Sequence, residues 1–475
     1  MQNQQAKRAS IYLGVFMAVV LLGGTILQVI GGNTTTTQQT IDPTATPAPT
    51  LPPPITDFSN ITFDSVYLHP SGLYTVGQPP GWEASQPSQN NSQAQVNFVN
   101  STALSVIDVY VERGFAAITP EELSARFTEA VLDASWANFN EWRETNRRIE
   151  GERLLIDFVV RFQGQDYIAR QIVTSDGEWI YVTRVLAPHN ASGLVSYLMD
   201  NLPGTFTPFK VFKDTPFSWT SYYDPTFSHI IRFPQEWGIE DSAPGRLTSI
   251  RSANGVSLRV QGFANTSVAD QAAAEAWLQA VRPGATILSV EPTTRDGVSG
   301  FSVAYAFSNA DGEPQSGLAV LLNGTVNGEP VLHTANLYFA AANVDLNAVE
   351  TLQEQAAAIA AGEVEVTPEA TGEVADAFAA ASEVVGGTGE TAATSATVFT
   401  ELASVMETFR VLPLTNLSAD SLPPATPTPL APVVPPEATT EATAEVTAAA
   451  DAQAAAPEAT GEATAEATAE ATTAP

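Results

Sequence analysis

The chain contains no cysteine, which excludes disulfides, thiolate metal sites, a cysteine nucleophile and a lipid-modified N-terminal cysteine. Stability of its folded parts must come from burial. Basic residues are scarce: 20 Lys and Arg stand against 52 Asp and Glu, a formal net charge of −32. The imbalance is concentrated, because after Arg295 there are 25 acidic residues and one basic residue, Arg410, so that stretch carries −24 and everything before it −8. Nucleic-acid binding needs Lys and Arg to displace counterions from phosphate, so DNA and RNA are excluded as partners. Catalytic signatures are missing too. There is no Gly-x-Ser-x-Gly elbow, no Gly-rich phosphate loop before a Lys and no Gly-x-Gly-x-x-Gly opening a helix. The four histidines, His69, His189, His229 and His333, show no spacing that would place two ligands on one face. No metal, cofactor or catalytic residue is expected, and the chain does not read as an enzyme.

What is present is a repeat. Pro70, Pro79 and Trp82 recur 155 residues later as Pro225, Pro234 and Trp237, and Tyr67 is matched by Tyr222. These six Pro and Trp positions read as structural signatures of two similar domains rather than as a binding site.

The segments around the repeat differ in kind. Lys7 and Arg8 precede an apolar run, Ile11 to Gly32, close to the ~20 residues that cross a hydrocarbon core, with positive charge on the cytoplasmic side. The expectation is residues 1–10 in the cytoplasm, a transmembrane signal-anchor at 11–32, and everything beyond it extracytoplasmic at the cell membrane. Residues 33–56 are Thr/Pro-rich and read as an extended stalk. From Pro413 to Pro475 the Ala/Thr/Glu/Pro composition, with Glu458, Glu462, Glu466 and Glu470 at four-residue spacing, reads as a disordered, self-repelling acidic tail.

Within the first domain, 57–210, the run Leu104, Val106, Asp108, Tyr110 alternates with Ser105, Ile107, Val109, Val111, a strand with apolar residues on both faces and therefore cover on both sides. A helix follows, with Thr119 as N-cap, Pro120 at its first position, Glu122 completing a capping box, and Leu123, Phe127, Ala130 and Val131 as one stripe. A meander of four strands with turns at Gln163-Gly164 and Asp176-Gly177, then a helix from Ala191 to Leu202, completes the unit. The second domain, 211–412, repeats the order. Its helix lies at Val268 to Val281, and a closing helix begins near Asp345. A low-complexity insertion, 362–395, precedes an amphipathic stretch through Val398, Leu402, Val405 and Met406 that folds back onto the domain. Asp-Gly-Glu at 176–178 and 311–313 could serve calcium, but it is the expected choice for a hairpin. Glu121-Glu122 and Glu240-Asp241 are adjacent carboxylates that point apart, unlike a hydrolase pair facing across a cleft. Trp136, Phe139 and Trp142 form an aromatic cluster, read as core in preference to a ligand platform.

The signature Tyr223-Asp224-Pro225-Thr-Phe-Ser-His-Ile-Ile-Arg-Phe-Pro234-Gln-Glu-Trp237, matched more weakly by His69-Pro70 to Pro79-Pro80-Gly-Trp82, resembles the PsbP-like α/β/α sandwich. That resemblance covers both domains and implies an α+β fold of two tandem antiparallel-sheet sandwiches. It also implies an accessory or binding role, as in the members that assist photosystem II on the lumenal side. The combined expectation is a membrane-anchored, non-enzymatic extracytoplasmic protein whose partner is an envelope protein or a small ligand. The alternatives are an envelope hydrolase and a structural cell-surface protein.

Overall fold

The structure is a computed structural model that describes residues 51–114, 118–348 and 392–421, the first six residues of the last segment by backbone alone. The first half opens with a hairpin, β1 (Ser65–Leu68) and β2 (Tyr74–Gln78). It continues through β3 (Glu83–Gln89), β4 (Gln93–Asn100), β5 (Ser105–Arg113), helices α1 (Pro120–Arg126) and α2 (Glu129–Ser135), and strands β6 (Glu141–Glu150), β7 (Arg153–Phe162), β8 (Gln165–Ser175) and β9 (Trp179–Pro188). Helix α3 (Ser192–Asn201) and the short β10 (Thr207–Pro208) end it. The second half repeats this with β11 (Thr220–Asp224), β12 (His229–Phe233), β13 (Gly238–Asp241), β14 (Thr248–Arg251), β15 (Ser257–Ala264) and α4 (Gln271–Val281). Strands β16 (Thr286–Arg295), β17 (Val298–Ser308), β18 (Pro314–Val326) and β19 (Glu329–Ala340) follow, then α5 (Ala392–Glu407) and β20 (Arg410–Val411).

Each half is built on a seven-stranded antiparallel sheet of the same order, β3-β4-β5-β9-β8-β7-β6 and β13-β14-β15-β19-β18-β17-β16, with a three-stranded sheet beside it. The alternation around Asp108 puts Val106 and Tyr110 on one face and Ile107, Val109 and Val111 on the other, and both faces are covered. In the first half Leu123, Phe127, Leu132 and Trp136 of the α1–α2 region cover the former, and Leu194, Val195, Leu198 and Met199 of α3 cover the latter. In the second, Ala274 and Leu278 of α4 cover one face, and Phe399, Leu402, Val405 and Met406 of α5 the other. The helix expected from Thr119 is two helices. Its capping box forms at Thr119 and Glu122, but Thr128 is extended and caps a second helix with its own side chain, so the stripe breaks after Phe127. Near Asp345 the described chain makes a 3₁₀ turn, Leu346–Ala348, and the rest of the closing helix expected there lies outside the described residues.

The described residues belong to one compact unit, and the halves share contacts. Phe217, Tyr223 and Ile230 of the second half sit in the first half's core. Arg232, fully buried, donates to the carbonyls of Ser71 (2.6 Å) and Pro216 (2.7 Å) and to Thr215 Oγ1. Residues 412–421 return from the second half to the first. Leu417 bridges to Val66 in parallel, Val66 N donates to Asn416 O (2.9 Å) and Ser418 N to Val66 O (2.7 Å). Asp420 accepts from Gln78 Nε2 (2.6 Å) and Ala84 N (3.0 Å).

The membrane reading is corrected. The expected signal-anchor, 11–32, lies outside the described residues, and among the described residues no helix is long and apolar enough to cross a membrane. The longest, α5, has 16 residues, short of the ~20 a span needs. Nothing described therefore supports the transmembrane helix in the fold class, the membrane or an envelope protein as partner, or the single-pass extracytoplasmic placement. What stands is two pseudo-symmetric antiparallel α/β halves. Most of the stalk, the insertion up to residue 391 and the tail from residue 422 also lie outside the described residues. Pro52, at the end of the stalk, accepts through its carbonyl from Asn190 Nδ2 (3.2 Å).

Candidate functional site

The first sheet is longer than the helix that closes it. Helix α3 has ten residues, about 15 Å, whereas β8 has 11 and β9 ten, about 33–36 Å of extended chain. Residues Ile172 and Thr174 of β8 and Tyr181 and Thr183 of β9 share this face by period-two alternation. The crossing segment from Pro203 to Pro208 stands over them. Between them lies a cleft of about 420 Å³ lined by Arg153, Ile172, Thr174, Asp176, Tyr181, Thr183, Pro203, Gly204, Phe206 and Pro208.

Its polar groups are fixed by the β8–β9 turn. Gly177 takes φ +89°, which lets Asp176 Oδ1 accept from the N–H groups of Glu178 (3.1 Å) and Trp179 (2.9 Å). Asp176 Oδ2 accepts from the Tyr181 hydroxyl and pairs with Lys210 Nζ at 2.6 Å. The Lys210 ammonium also lies 4.4 Å from the centre of the Trp179 ring. Partial burial opposes the charge on Asp176, but Lys210, the Tyr181 hydroxyl and the turn N–H groups outweigh it and hold the carboxyl below its usual range. Burial, then the hydrogen bond to Asp176, push the Tyr181 phenol well above its usual range. The Tyr181 and Phe206 rings meet edge to face at 5.1 Å, giving the cleft an aromatic wall. Arg153 is exposed and, among the described residues, makes no ion pair or side-chain hydrogen bond.

None of the six signature residues lies in this cleft. Trp82 and Trp237 are core residues, 3% and 6% exposed, in separate clusters. Pro79 O accepts from Trp82 N (3.2 Å) and Pro234 O from Trp237 N (3.1 Å), so Pro-x-x-Trp is a turn that delivers the ring inward. The Pro70 carbonyl accepts from Ser221 N (2.7 Å) at the junction of the halves, and Pro225 sits exposed in the turn after β11. Trp136 packs against Phe139 and Phe158 at 5.3 and 5.1 Å. Glu122 is occupied by its capping box and Glu240 by Arg251 at 3.3 Å. Asp176 has its oxygens filled by N–H, O–H and ammonium donors, the opposite of a calcium ligand. Among the described residues no group of three or more His, Cys, Asp or Glu is placed to hold a metal.

Sequence reasoning missed two clusters. His229 and His333 are 104 residues apart yet bring their Nδ1 atoms to 3.5 Å, because β12 of the small sheet crosses over β19 of the large one. It also missed the cleft, whose residues come from β7, β8, β9 and the segment after α3; the available signal was Asp176-Gly177 followed by Trp179 and Tyr181.

No family profile and no curated protein matches the chain. Among solved structures, cyanobacterial PsbP from Synechocystis matches at 18% identity, over 30% of this chain and 90% of that one, with a TM-score of 0.22. The Saccharomyces cerevisiae Ran-binding protein Mog1p matches at 13% identity over 29% and 90%, with a TM-score of 0.22. The immunity protein TplEi of the T6SS from Pseudomonas aeruginosa matches at 12% over 70% and 99%, with a TM-score of 0.20. The chain thus resembles PsbP-like and Mog1p-like structures distantly and in fold alone.

Proposed function

We propose that the chain is a non-enzymatic binding protein whose first half takes a small amphipathic monocarboxylate in the cleft above β8 and β9. One observation carries this reading: in a cleft with apolar and aromatic walls, the other charged group is neutralised internally, Asp176 by Lys210, while the Arg153 guanidinium has no ionic partner among the described residues. A volume near 420 Å³ lies within the roughly 300–1,000 Å³ range of small-ligand sites. A carboxylate on Arg153 would form a charge-assisted pair, and its apolar tail would lie against Ile172, Phe206 and the prolines. Binding is favoured over catalysis because Asp176 is pushed down and Tyr181 up, so neither is poised near neutral pH for proton transfer.

The test is calorimetric titration of the full chain with hexanoate and 3-phenylpropionate against the corresponding amides. Saturable binding of the acids, absent for the amides and weakened about tenfold or more in Arg153→Gln, is expected. Equal binding of acids and amides, or binding indifferent to Arg153→Gln, would overturn the reading. Turnover of a bound acid would overturn its non-enzymatic part.

A further inference from the structure

On the α4 face of the second sheet, register places Tyr305 (β17), Gly317 (β18), Tyr338 (β19) and Ser257 (β15) side by side. Arg259, two residues along β15, shares that face. Arg282 arrives from the end of α4 with its backbone held on both sides, its N–H donating to Leu278 O (2.7 Å) and its carbonyl accepting from Ala285 N (3.2 Å). Its guanidinium lies 4.3 Å from the centre of the Phe307 ring and 4.6 Å from that of Tyr338, and the Arg259 guanidinium lies 5.7 Å from the same Tyr338 ring. Two positive charges thus share one ring, and neither forms an ion pair among the described residues. Along the rung that holds Arg259 the carboxylate is Asp241, beyond Ser249 and about 10 Å away. Arg282 Nε is buried without a hydrogen-bond partner, although buried polar atoms are ordinarily paired. Burial opposes ionisation of the Tyr338 phenol, but the bond to the Ser257 hydroxyl and the charges of Arg259 and Arg282 outweigh it and hold the phenol below its usual range. In a chain with 52 acidic and 20 basic residues, two arginines kept together without a carboxylate repel each other, and a bound anion removes that cost.

We infer that Arg259, Arg282 and Tyr338 form a second binding site, independent of the cleft, for a small phosphoryl dianion, either inorganic phosphate or a phosphate monoester. A dianion neutralises both guanidiniums, whose planar forks match phosphoryl oxygens. A monoanion leaves one charge unmatched. The Tyr338 hydroxyl adds a neutral donor between them. The site lies open on the surface and needs no enclosed cavity: Arg259 is exposed, and Val281, next to Arg282 in the chain, is 46% exposed and offers an apolar contact to the ester group of a monoester.

The experiment is calorimetric titration of the full chain at about pH 8, where a phosphate monoester carries both charges, with phenyl phosphate and inorganic phosphate as probes and diethyl phosphate as a monoanionic control. The expected result is saturable binding of at least one probe that the control does not displace. Affinity falls about tenfold or more in Arg259→Gln and in Arg282→Gln, and is unchanged in Arg153→Gln. Tighter binding of phenyl phosphate assigns the site to a monoester, and binding no tighter than that of inorganic phosphate assigns it to the free ion. A second readout is the phenolate absorbance that Tyr338→Phe removes: a saturating probe places negative charge beside the phenol and moves its titration to higher pH. Should Arg282→Gln fail to fold, the exposed Arg259→Gln decides the matter. Absence of saturable binding, displacement by diethyl phosphate, affinity indifferent to Arg259→Gln, affinity lost in Arg153→Gln, or a Tyr338 titration unmoved by a saturating probe would each overturn the inference.

Discussion

The two halves share a strand order but not an interior. Across the α1–α2 face of the first sheet runs Asn97–Asp108–Arg184–Gln171, buried throughout. The comparable four strands of the second sheet, on the face toward α4, place Ser249, Arg259, Asn336 and Ala319 side by side. Of these four, the buried polar residue Asn336 accepts from the Tyr305 hydroxyl through its Oδ1, and Arg259 is exposed and near Tyr338. The opposite faces differ as well. Ten-residue α3 leaves the cleft beside it, whereas 16-residue α5, about 24 Å long, lays four apolar side chains across its sheet. The cleft above β8 and β9 and the unpaired atoms of Asn97, Asp108, Arg184 and Gln171 belong to the first half, whereas the buried atoms without a partner in the second half include His229 Nε2 and His333 Nε2.

That division can be broken at the junction. Arg232→Met removes the donor to the buried Ser71 carbonyl and to the Pro216 carbonyl and is expected to cost about 3 kcal/mol, with the single unfolding transition separating into two, one per half, in chemical denaturation followed by tryptophan fluorescence. One unchanged transition would mean the halves cooperate without it.

Acid sharpens the contrast. Burial lowers His69 to about 4, His229 to about 3 (with the charge of His333 adding to it) and His333 to about 4, from an ordinary 6.5. The unfolded chain therefore binds more protons than the folded one below pH 6.5, so the stability from these neutral rings is complete above that pH and is lost as pH falls toward 4 and then 3. Two pH units below 6.5, each of His69 and His229 accounts for about 2–3 kcal/mol. With two of the three histidines, the second half should unfold first, and His229→Leu should flatten the slope of stability against pH between 6 and 4. A slope unaffected by that substitution would remove the histidine pair from the explanation.

A smaller effect is expected from ending the chain at Val411. The returning segment packs Leu412, Leu414 and Leu417, all partly buried, onto the first half, and its loss should destabilise that half by about 2 kcal/mol while leaving the second half's transition in place. Equal loss in both halves would show that the segment acts on the junction as a whole.

Local chemistry was legible and register chemistry was not. The capping box at Thr119 and Glu122, the Pro-x-x-Trp turns and the apolar stripe Leu402, Val405, Met406 depend on residues a few positions apart, so their geometry follows from spacing. Asp108 was visible as a charged residue in a doubly covered strand, but its neighbours Arg184 and Asn97 follow only from strand pairing, which a sequence does not print. The same holds for His229 and His333, and for the cleft, whose walls come from β7, β8, β9 and the stretch after α3. Composition misled at Pro413: a Pro-containing polar start looked like tail, yet Asn416, Ser418 and Asp420 find backbone and side-chain partners in the first half.

The returning segment also fixes a sequence of events in time. Val66 and Leu68 lie at the edge of β1, and their last partners are Leu417, Ser418 and Ser421, the longest of these separations being 355 residues. A ribosome delivers the first half long before it delivers those residues, so that half emerges with an unpaired edge and waits through the synthesis of the second before its sheet is closed.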